Sequence, residues 1–418
     1  MRKVMSIVAS GIVVLAILFL FLPFLTGILI QKKYPDLLAQ FSSATGANIQ
    51  MQSYHRGWFK SEATLQIIMP SSLPMTIDQK IMHGPIAYAH TQSGSKLFFA
   101  LAAIKNTVQS QHTQLYSISI WKWNNTYTFT TQSDQFIAQT PIGELSLSQF
   151  NSAVNFSLIT HHLVGKLDLQ QLQLKPNNAT QPTMHVQKFQ FDSNIKNNHG
   201  LENGDIKMNL GDFSLIALNN PATEMQDANF FFQQNQTNEI TSMHTVLNVE
   251  HLNTADEHLS HVHFDLALNN LNTQALKQYW QQMVITHSAI TQLYSLFQIA
   301  NQGLVIELNA ANATTPDGLI QIQGSIQCPS DAARKPEITS LLLQITGHAN
   351  ISLPYQFVLK QWIARYGKAD AAQALADRIK SGEFIQQGNQ LSMTIELKNA
   401  ALLVNGKPIS AYSTTGQS

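Results

Sequence analysis

The stretch His261–Leu268, HVHFDLAL, decides the fold class. Valine, phenylalanine and two leucines occupy every second position, and mostly polar residues fill the positions between them. Successive side chains of a β-strand point to opposite faces, so this period of two predicts a strand with one apolar face. Antiparallel sheets with one wet face are built from such strands.

The same alternation extends back from this stretch to residue 117. Clusters rich in Asn, Gly and Pro separate the apolar runs and are typical of turns. The pair Gln170-Gln171 shifts the phase of one run, as a β-bulge does. The pattern predicts an α+β fold that is mainly β, with one or more large, twisted antiparallel sheets. The runs are Ile118 and Ile120; Leu145 and Leu147; Leu167 and Leu169; Phe189 and Phe191; Ile206, Met208 and Leu210.

Two segments have helical spacing instead. Thr273–Ala300 and Tyr355–Lys380 each carry an apolar stripe along one face, which predicts amphipathic helices. Asn272 is placed to cap the start of the first helix, and Gly382 follows the end of the second. Leu97–Ile104 fits a strand and a helix equally well.

The N-terminal stretch Val4–Ile30 contains no charged residue. About 20 apolar residues in a helix cross a bilayer core of roughly 30 Å. A cleaved signal peptide has a shorter apolar region and a small-residue cleavage site, so this stretch predicts an uncleaved transmembrane helix. Its flanks, Arg2-Lys3 and Lys32-Lys33, carry equal charge and leave the orientation open.

These patterns divide the chain into four segments. Residues 1–30 are expected to form the transmembrane anchor. Residues 31–62 are expected to form a juxtamembrane helix, with Tyr34 at the membrane interface, and a connector that contains YHRGWF. Residues 63–300 form a β-rich region that ends in a helix. Residues 301–418 add strands, a helix and a C-terminal hairpin to the same β-rich assembly.

The composition excludes several classes of function. The chain has 25 basic and 25 acidic residues and no basic block, so nucleic-acid binding lacks its electrostatic footprint. The single cysteine, Cys328, excludes an intramolecular disulfide and a zinc-type cysteine cluster. The hydrophobic share of 44% is too high for a disordered chain.

The sequence contains no nucleophile elbow, P-loop, dinucleotide-binding turn or zincin helix. We therefore predict a protein that is not an enzyme and that has neither catalytic residues nor a cofactor. His261 and His263 are weak candidates for a metal site, because residues two apart in a strand share one face. The favoured alternative is that Val262 and Phe264 form the buried face and leave both histidines on the wet face.

The segment Tyr54–Phe59 reads YHRGWF. Gly57 permits a sharp turn, at which Trp58 and Phe59 are expected to plug one end of the sheet. The alternative is a binding patch at the membrane surface that also includes Arg56.

The segment His83-Gly84-Pro85 is expected to be a second turn. No acidic partner lies at a diagnostic spacing from His83. We therefore expect this histidine to lie in a polar network rather than to act as a general base.

These two segments and three later ones resemble one known family. YHRGWF, with Ser61 two residues later, is similar to the signature of the YdgA-like proteins of Gram-negative bacteria, a family of unknown function. Asn272 stands where that family more often has aspartate, and Val404 where it has leucine. The resemblance implies a single-pass inner-membrane protein with most of its chain in the periplasm, and it supplies no reaction. The other matching segments are His83-Gly84-Pro85, Asn270–Leu276, Thr315–Gly318 and Leu403–Lys407, which includes Asn405 and Gly406.

Three functions fit these observations. The first is a non-catalytic envelope scaffold or interaction module, with the membrane and an envelope protein as partners. The second is the binding or transfer of a lipid or another apolar ligand in a groove of the sheet. The third is a membrane-tethered hydrolase, which the lack of catalytic motifs makes the weakest. The sequence favours the first and leaves the oligomeric state open.

Overall fold

The computed structural model describes most of the chain. Residues 4–20 of the predicted anchor lie outside the described ranges. Within those ranges, no helix is both long enough and apolar enough to cross a membrane. The described residues are 21–39, 42, 48–68, 75–91, 94–109, 114–140, 142–157, 159–178, 181–198, 201–217, 220–237, 239–255, 257–283, 298–300, 302–330 and 344–409.

We number the helices and strands of the described residues in chain order. The helices are α1 (residues 21–39), α2 (Thr273–Met283), α3 (Tyr355–Tyr366) and α4 (Lys368–Ser381), and residues 298–300 are also helical. The strands are β1 (Asn48–Arg56), β2 (Lys60–Ile68), β3 (Met75–His83), β4 (Ile86–Thr91), β5 (Gly94–Phe99), β6 (Ala102–Gln109), β7 (Gln114–Trp121), β8 (Thr126–Thr140), β9 (Gly143–Ser157), β10 (His162–Pro176), β11 (Thr183–Asn198), β12 (Leu201–Ala217), β13 (Asn220–Gln236), β14 (Ile240–Asn253), β15 (His258–Asn272), β16 (Val305–Thr315), β17 (Gly318–Gln327), β18 (Thr346–Pro354), β19 (Ile385–Gln387), β20 (Gln390–Lys398), β21 (Ala401–Val404) and β22 (Lys407–Pro408).

The chain is mainly β, as predicted. Twenty of these strands belong to one antiparallel sheet, and β4 and β5 form a separate hairpin. The alternation of apolar and polar residues therefore gave the right class of sheet. The ambiguous stretch Leu97–Ile104 is extended: it covers the end of β5 and the start of β6.

The chain divides into two compact units. The first contains residues 1–196 and 213–220, and the second contains residues 197–212 and 221–418. In the first unit, antiparallel pairing runs in the order β1, β2, β3, β6, β7, β8, β9, β10 and β11. In the second unit it runs from β13 through β14, β15, β16, β17 and β18 to β20, which also pairs with β19 and β21.

At Gln170-Gln171, where a β-bulge is predicted, the ladder is interrupted without a shift of register. Leu169 faces Phe189 and Gln171 faces Gln187, so the ladder skips the pair between them. The skipped residue on β11, Lys188, has a φ of 52°. One residue is left out on each strand, so this interruption is not a β-bulge, which places an extra residue on one strand only.

The helix predicted over Tyr355–Lys380 is two helices, and the prediction of one continuous helix was wrong. Gly367 separates α3 from α4 with a φ of 86°, a left-handed value that a right-handed helix cannot continue through. Val358 and Leu375 still share one buried cluster with Leu391 of β20. Gly382 ends α4 in the left-handed conformation, as predicted.

The first predicted helix is described over α2 and residues 298–300, and its middle part lies outside the described residues. Asn272 caps α2 as predicted: its Oδ1 accepts a hydrogen bond of 2.9 Å from the backbone N–H of Ala275.

In the first unit, α1 lies on one side of the sheet. The helix is continuous across residue 30, where the predicted anchor ends and the juxtamembrane helix begins. Thr26, Ile30 and Tyr34 are 4%, 1% and 3% exposed, and their spacing of four residues puts them on one face of the helix. The expectation that Tyr34 sits at the membrane interface was wrong, because this side chain is buried against the sheet.

Candidate functional site

We call the side of the sheet that packs beneath α1 the inner face. Because side chains alternate between the two faces of a strand, the pairing register places matching residues of neighbouring strands side by side. The inner face consists of Ser61, Ala63 and Leu65 on β2; Gln79, Ile81 and His83 on β3; Ala102, Ile104, Asn106 and Val108 on β6; Leu115, Ser117, Ser119 and Trp121 on β7; and Tyr127, Phe129 and Thr131 on β8.

One end of the inner face is the tryptophan end, defined by Trp58, His83 and Trp121. Here the backbone N–H of His83 donates to the carbonyl of Phe59 at 2.9 Å, and the N–H of Leu101 donates to the carbonyl of Trp121 at 2.8 Å. Both motif segments, YHRGWF and His83-Gly84-Pro85, therefore meet at this end.

The YHRGWF segment forms the turn between β1 and β2. The backbone N–H of Gly57 donates to the carbonyl of Lys60 at 2.8 Å, which closes the turn. The ring of Trp58 packs 4.7 Å from the ring of Phe24 on α1, and the Arg56 guanidinium lies 5.0 Å from the centre of that same ring. The turn therefore holds the start of α1 through aromatic and cation–π contacts.

His83 is the centre of a buried hydrogen-bond chain. Its Nδ1 lies 3.2 Å from the carbonyl oxygen of Trp58, and its Nε2 lies 2.8 Å from the hydroxyl of Ser61, which accepts from the Tyr54 hydroxyl at 3.0 Å. A carbonyl oxygen only accepts, so Nδ1 carries the proton and Nε2 accepts from Ser61. Burial lowers the pKa of His83, and the charge of Arg56 lowers it further, while the hydrogen bonds to backbone carbonyls of Trp58 and Pro23 oppose that change. His83 is therefore neutral at pH 7.

The pair of Ser61 and His83 has the spacing of a nucleophile and its base. Ser61 is 1% exposed and His83 is 3% exposed. Both side chains lie beneath α1, and their hydrogen bonds join β2 and β3 to the YHRGWF turn.

A second polar chain crosses the middle of the inner face. The Tyr34 hydroxyl of α1 donates to the side-chain oxygen of Gln79. The Gln79 amide donates to Asn106 at 2.6 Å, and the Asn106 amide donates to Ser117 at 2.8 Å and to Ser119 at 3.2 Å. These partners lie on three neighbouring strands, so the chain ties α1 to β3, β6 and β7.

Beside this chain, α1 and the inner face line an open cavity of about 440 Å³. Along β7 its lining extends from Leu115 to Trp121, a length of about 20 Å at about 3.3 Å per residue. Across the sheet the lining extends from Ile49 on β1 to Thr131 on β8, which is five strand spacings of about 4.8 Å, so the cavity is about as wide as it is long. The lining residues are Tyr34, Leu37, Leu38, Ile49, Leu65, Ile67, Met75, Ile77, Gln79, Ile104, Asn106, Val108, Leu115, Ser117, Ser119, Trp121, Tyr127, Phe129 and Thr131.

The lining of the cavity is uncharged. None of its described residues is a lysine, arginine, histidine, aspartate or glutamate. Burial raises the pKa of both tyrosines, that of Tyr127 to about 12 and that of Tyr34 further, so neither ionises at neutral pH. The cavity therefore suits an apolar ligand and disfavours a charged one.

One polar atom of the lining is unsatisfied. Trp121 is 6% exposed, and its indole N–H has no hydrogen-bond partner in the described part of the chain. Buried tryptophan N–H groups usually find a partner, since leaving one unpaired costs about 1–3 kcal/mol.

The sequence contained a signal for these residues that simple motif searching misses. Gln79 stands between Ile77 and Ile81, and Asn106 stands between Ile104 and Val108, in the apolar phase of their strands. A polar residue in the apolar phase of a strand marks a polar group on the buried face. Their pairing with Tyr34 depended on where α1 docks, which the strand pattern does not specify.

The histidines singled out from the sequence lie in the second unit. His261 Nδ1 lies 2.9 Å from Glu250 and His263 Nδ1 lies 2.6 Å from Asn248, so each has its own partner on β14. His261 has a φ of 50°, at a point where β15 breaks register with β16. Among the described residues, no group of three or more histidine, cysteine, aspartate or glutamate side chains is placed to hold a metal ion.

Asn405 and Gly406 form the turn between β21 and β22, with φ values of 49° and 77°. The Asn405 amide donates to the carbonyls of Gly382 and Glu383, at 2.9 and 3.1 Å. Its carbonyl oxygen accepts from the backbone N–H of Thr394 at 2.8 Å. This motif therefore holds the end of α4 to β20 and the C-terminal hairpin.

Comparison with known families shows which family the chain belongs to. A family model described as "Bacterial protein of unknown function (DUF945)" matches residues 1–411. The chain belongs to the DUF945 family. The expectation that the chain belongs to a bacterial family of unknown function is therefore confirmed. Neither the curated proteins nor the solved structures include a significant match to this DUF945 protein.

Proposed function

We propose that this DUF945 protein is a non-catalytic, membrane-anchored protein that binds the hydrocarbon part of a lipid between α1 and the inner face. The observation that carries the proposal is the cavity of about 440 Å³ with its apolar, uncharged lining. Ligand sites are typically apolar clefts of about 300–1,000 Å³ with a few convergent polar groups.

The lining of the cavity favours the hydrocarbon part of a lipid over a polar ligand. It extends about 20 Å along β7, from Trp121 to Leu115, and α1 contributes Tyr34, Leu37 and Leu38. An alkyl chain against this lining removes its apolar surface from water, at about 25 cal/mol per Å².

The tryptophan end supports a position beside a lipid bilayer. Phe21, Trp58 and Phe59 are 52%, 45% and 49% exposed there, and Phe21 packs 5.9 Å from Trp58. Phe99 and Trp123, 74% and 42% exposed, contact each other at 6.2 Å beside the start of β6. Exposed apolar patches mark binding surfaces, and aromatic residues favour the membrane interface.

The location is part of the proposal. The uncharged stretch Val4–Ile30 includes residues 21–30 of α1, so a membrane anchor in the part of this stretch before Phe21 would hold the tryptophan end against the bilayer. The resemblance to the YdgA-like proteins of Gram-negative bacteria favours the inner membrane, with the sheet in the periplasm. The sequence alone favoured a scaffold; the cavity favours the lipid-binding alternative.

Native mass spectrometry of the full chain in detergent micelles tests the proposal. We expect the wild type to bind one equivalent of hexadecane or methyl palmitate. The variant Leu115→Trp, which fills the cavity, is expected to bind neither, and the exposed control Leu319→Trp is expected to bind as the wild type does. Binding that survives in Leu115→Trp, or that is absent from the folded wild type, would overturn the proposal.

A further inference from the structure

We propose that the cavity selects an uncharged lipid with one hydrogen-bond acceptor, such as an ester or an ether, and that the Trp121 N–H recognises this acceptor. This inference rests on the proposed function and names the ligand class of the same site.

The unpartnered indole N–H of Trp121 is the first observation. The side chain is 6% exposed, lines the cavity and stacks on Tyr127 with ring centres 5.3 Å apart. The stacked ring is fixed in place, so it cannot turn to find another acceptor. A ligand oxygen supplies what the protein does not, and the unpaired donor then favours that ligand over a pure hydrocarbon.

Ser119 is the second observation. It is 7% exposed, it lies next to Trp121 on the same face of β7, and its hydroxyl accepts from the Asn106 amide at 3.2 Å. A hydroxyl that accepts one hydrogen bond still carries a proton to donate. Trp121 and Ser119 therefore supply two neutral donors to the lining at the tryptophan end of the cavity.

The uncharged lining is the third observation. A carboxylate or phosphate in the cavity would meet no lysine, arginine or histidine among the described lining residues. Removing such a group from water without a counter-charge costs far more than two neutral hydrogen bonds return. The acceptor is therefore a neutral oxygen, and any charged group of the ligand stays outside.

The experiment compares three ligands with the same chain: hexadecane, methyl palmitate and, at pH 8, palmitate. Each is titrated into the full chain in detergent micelles, and binding is read by native mass spectrometry. We expect methyl palmitate to bind about 2–10-fold more tightly than hexadecane, the gain of about one neutral hydrogen bond. Palmitate is expected to bind at least about tenfold more weakly than the ester.

Two variants assign the selectivity. Trp121→Phe keeps the aromatic ring and removes the N–H, so it is expected to remove most of the preference for methyl palmitate over hexadecane and to leave hexadecane binding unchanged. Ser119→Ala is expected to reduce the same preference in part. Melting temperatures show whether each variant is folded. The order in which the wild type binds the three ligands tests the inference even where a variant is unfolded.

The outcomes separate this inference from the proposed function. If palmitate binds as tightly as methyl palmitate, or if folded Trp121→Phe keeps the preference for the ester, the inference on ligand class is wrong and the lipid-binding function stands. If none of the three ligands binds the folded wild type, both are wrong.

Discussion

Gly27 of α1 lies directly against the imidazole of His83. A β-carbon on residue 27 would lie 2.5 Å from Cε1 and 2.6 Å from Nδ1 of that ring, closer than real β-carbons approach. The same turn of α1 carries Thr26, whose hydroxyl donates to the carbonyl of Gly84 at 3.2 Å. The absence of a side chain at residue 27 therefore sets how closely α1 approaches the end of β3.

Gly27→Ala is expected to destabilise the protein, although alanine is normally better than glycine inside a helix by about 0.5–1 kcal/mol. The added methyl group overlaps a buried ring, and such overpacking costs about 1–3 kcal/mol. Thermal unfolding followed by circular dichroism measures the change. In a His83→Ala background the same substitution is expected to cost less or to stabilise. An equal loss in both backgrounds would mean that the contact with His83 is not the cause.

Stability is expected to fall as the pH drops below about 6.5, in part because of His83. Burial is the main reason that the folded pKa of His83 lies below its ordinary value of 6.5. The unfolded chain therefore binds this proton more tightly, so the contribution of His83 is complete above pH 6.5 and is lost as the pH falls towards the lowered pKa. Melting temperatures at pH 7.5 and pH 5.5 are expected to differ less in His83→Asn than in the wild type. A difference of the same size in both proteins would assign the pH dependence to other histidines.

Tyr34→Phe is expected to destabilise the first unit by about 1–3 kcal/mol, because it leaves the buried oxygen of Gln79 without the donor from α1. Tyr366→Phe is the matched control, since Tyr366 is 52% exposed, and it is expected to change the melting temperature little. Equal melting temperatures for Tyr34→Phe and the wild type would show that the Tyr34 hydrogen bond does not hold the helix.

The fluorescence of Trp123 is expected to be quenched when the full chain is reconstituted into vesicles with brominated acyl chains. Trp123 is 42% exposed at the tryptophan end, where we propose contact with lipid. Trp123→Phe is therefore expected to remove part of the quenchable emission, and Trp58 at the same end supplies the rest. Thr76→Trp, at the opposite end of β3 and about 23 Å from His83, is expected to add emission that is not quenched. Quenching of the tryptophan at residue 76 would argue against a position of the tryptophan end at the bilayer. Equal quenching with and without Trp123 would argue against it as well.

The strands were predictable because their pattern is local. Val262, Phe264 and Leu266 share one face wherever β15 pairs, and turn residues such as Asn405 and Gly406 impose their own backbone geometry. The position of Gly367 was visible in the sequence, but its left-handed φ was not, since an apolar stripe passes through both α3 and α4.

The candidate site was less predictable because it depends on contacts that are distant in sequence. The Tyr34 hydroxyl meets Gln79 across 45 positions, and Gln79 meets Asn106 across 27. The apolar face of α1 can contact either lipid or the sheet, and hydrophobicity alone does not distinguish these two environments. Only the register of β3 with β6 shows that Gln79 and Asn106 are neighbours.

The rotation of α1 about its own axis is fixed by its contacts. Thr26, Ile30 and Tyr34 point to the same side only because they are four residues apart, and a single deletion between Gly27 and Ile30 would turn the following helix by about 100°. Ile30 and Tyr34 would then leave the sheet together. Residues 21–39 form one uninterrupted helix, so the contacts of Thr26 and Tyr34 with the sheet set the rotation of this whole segment.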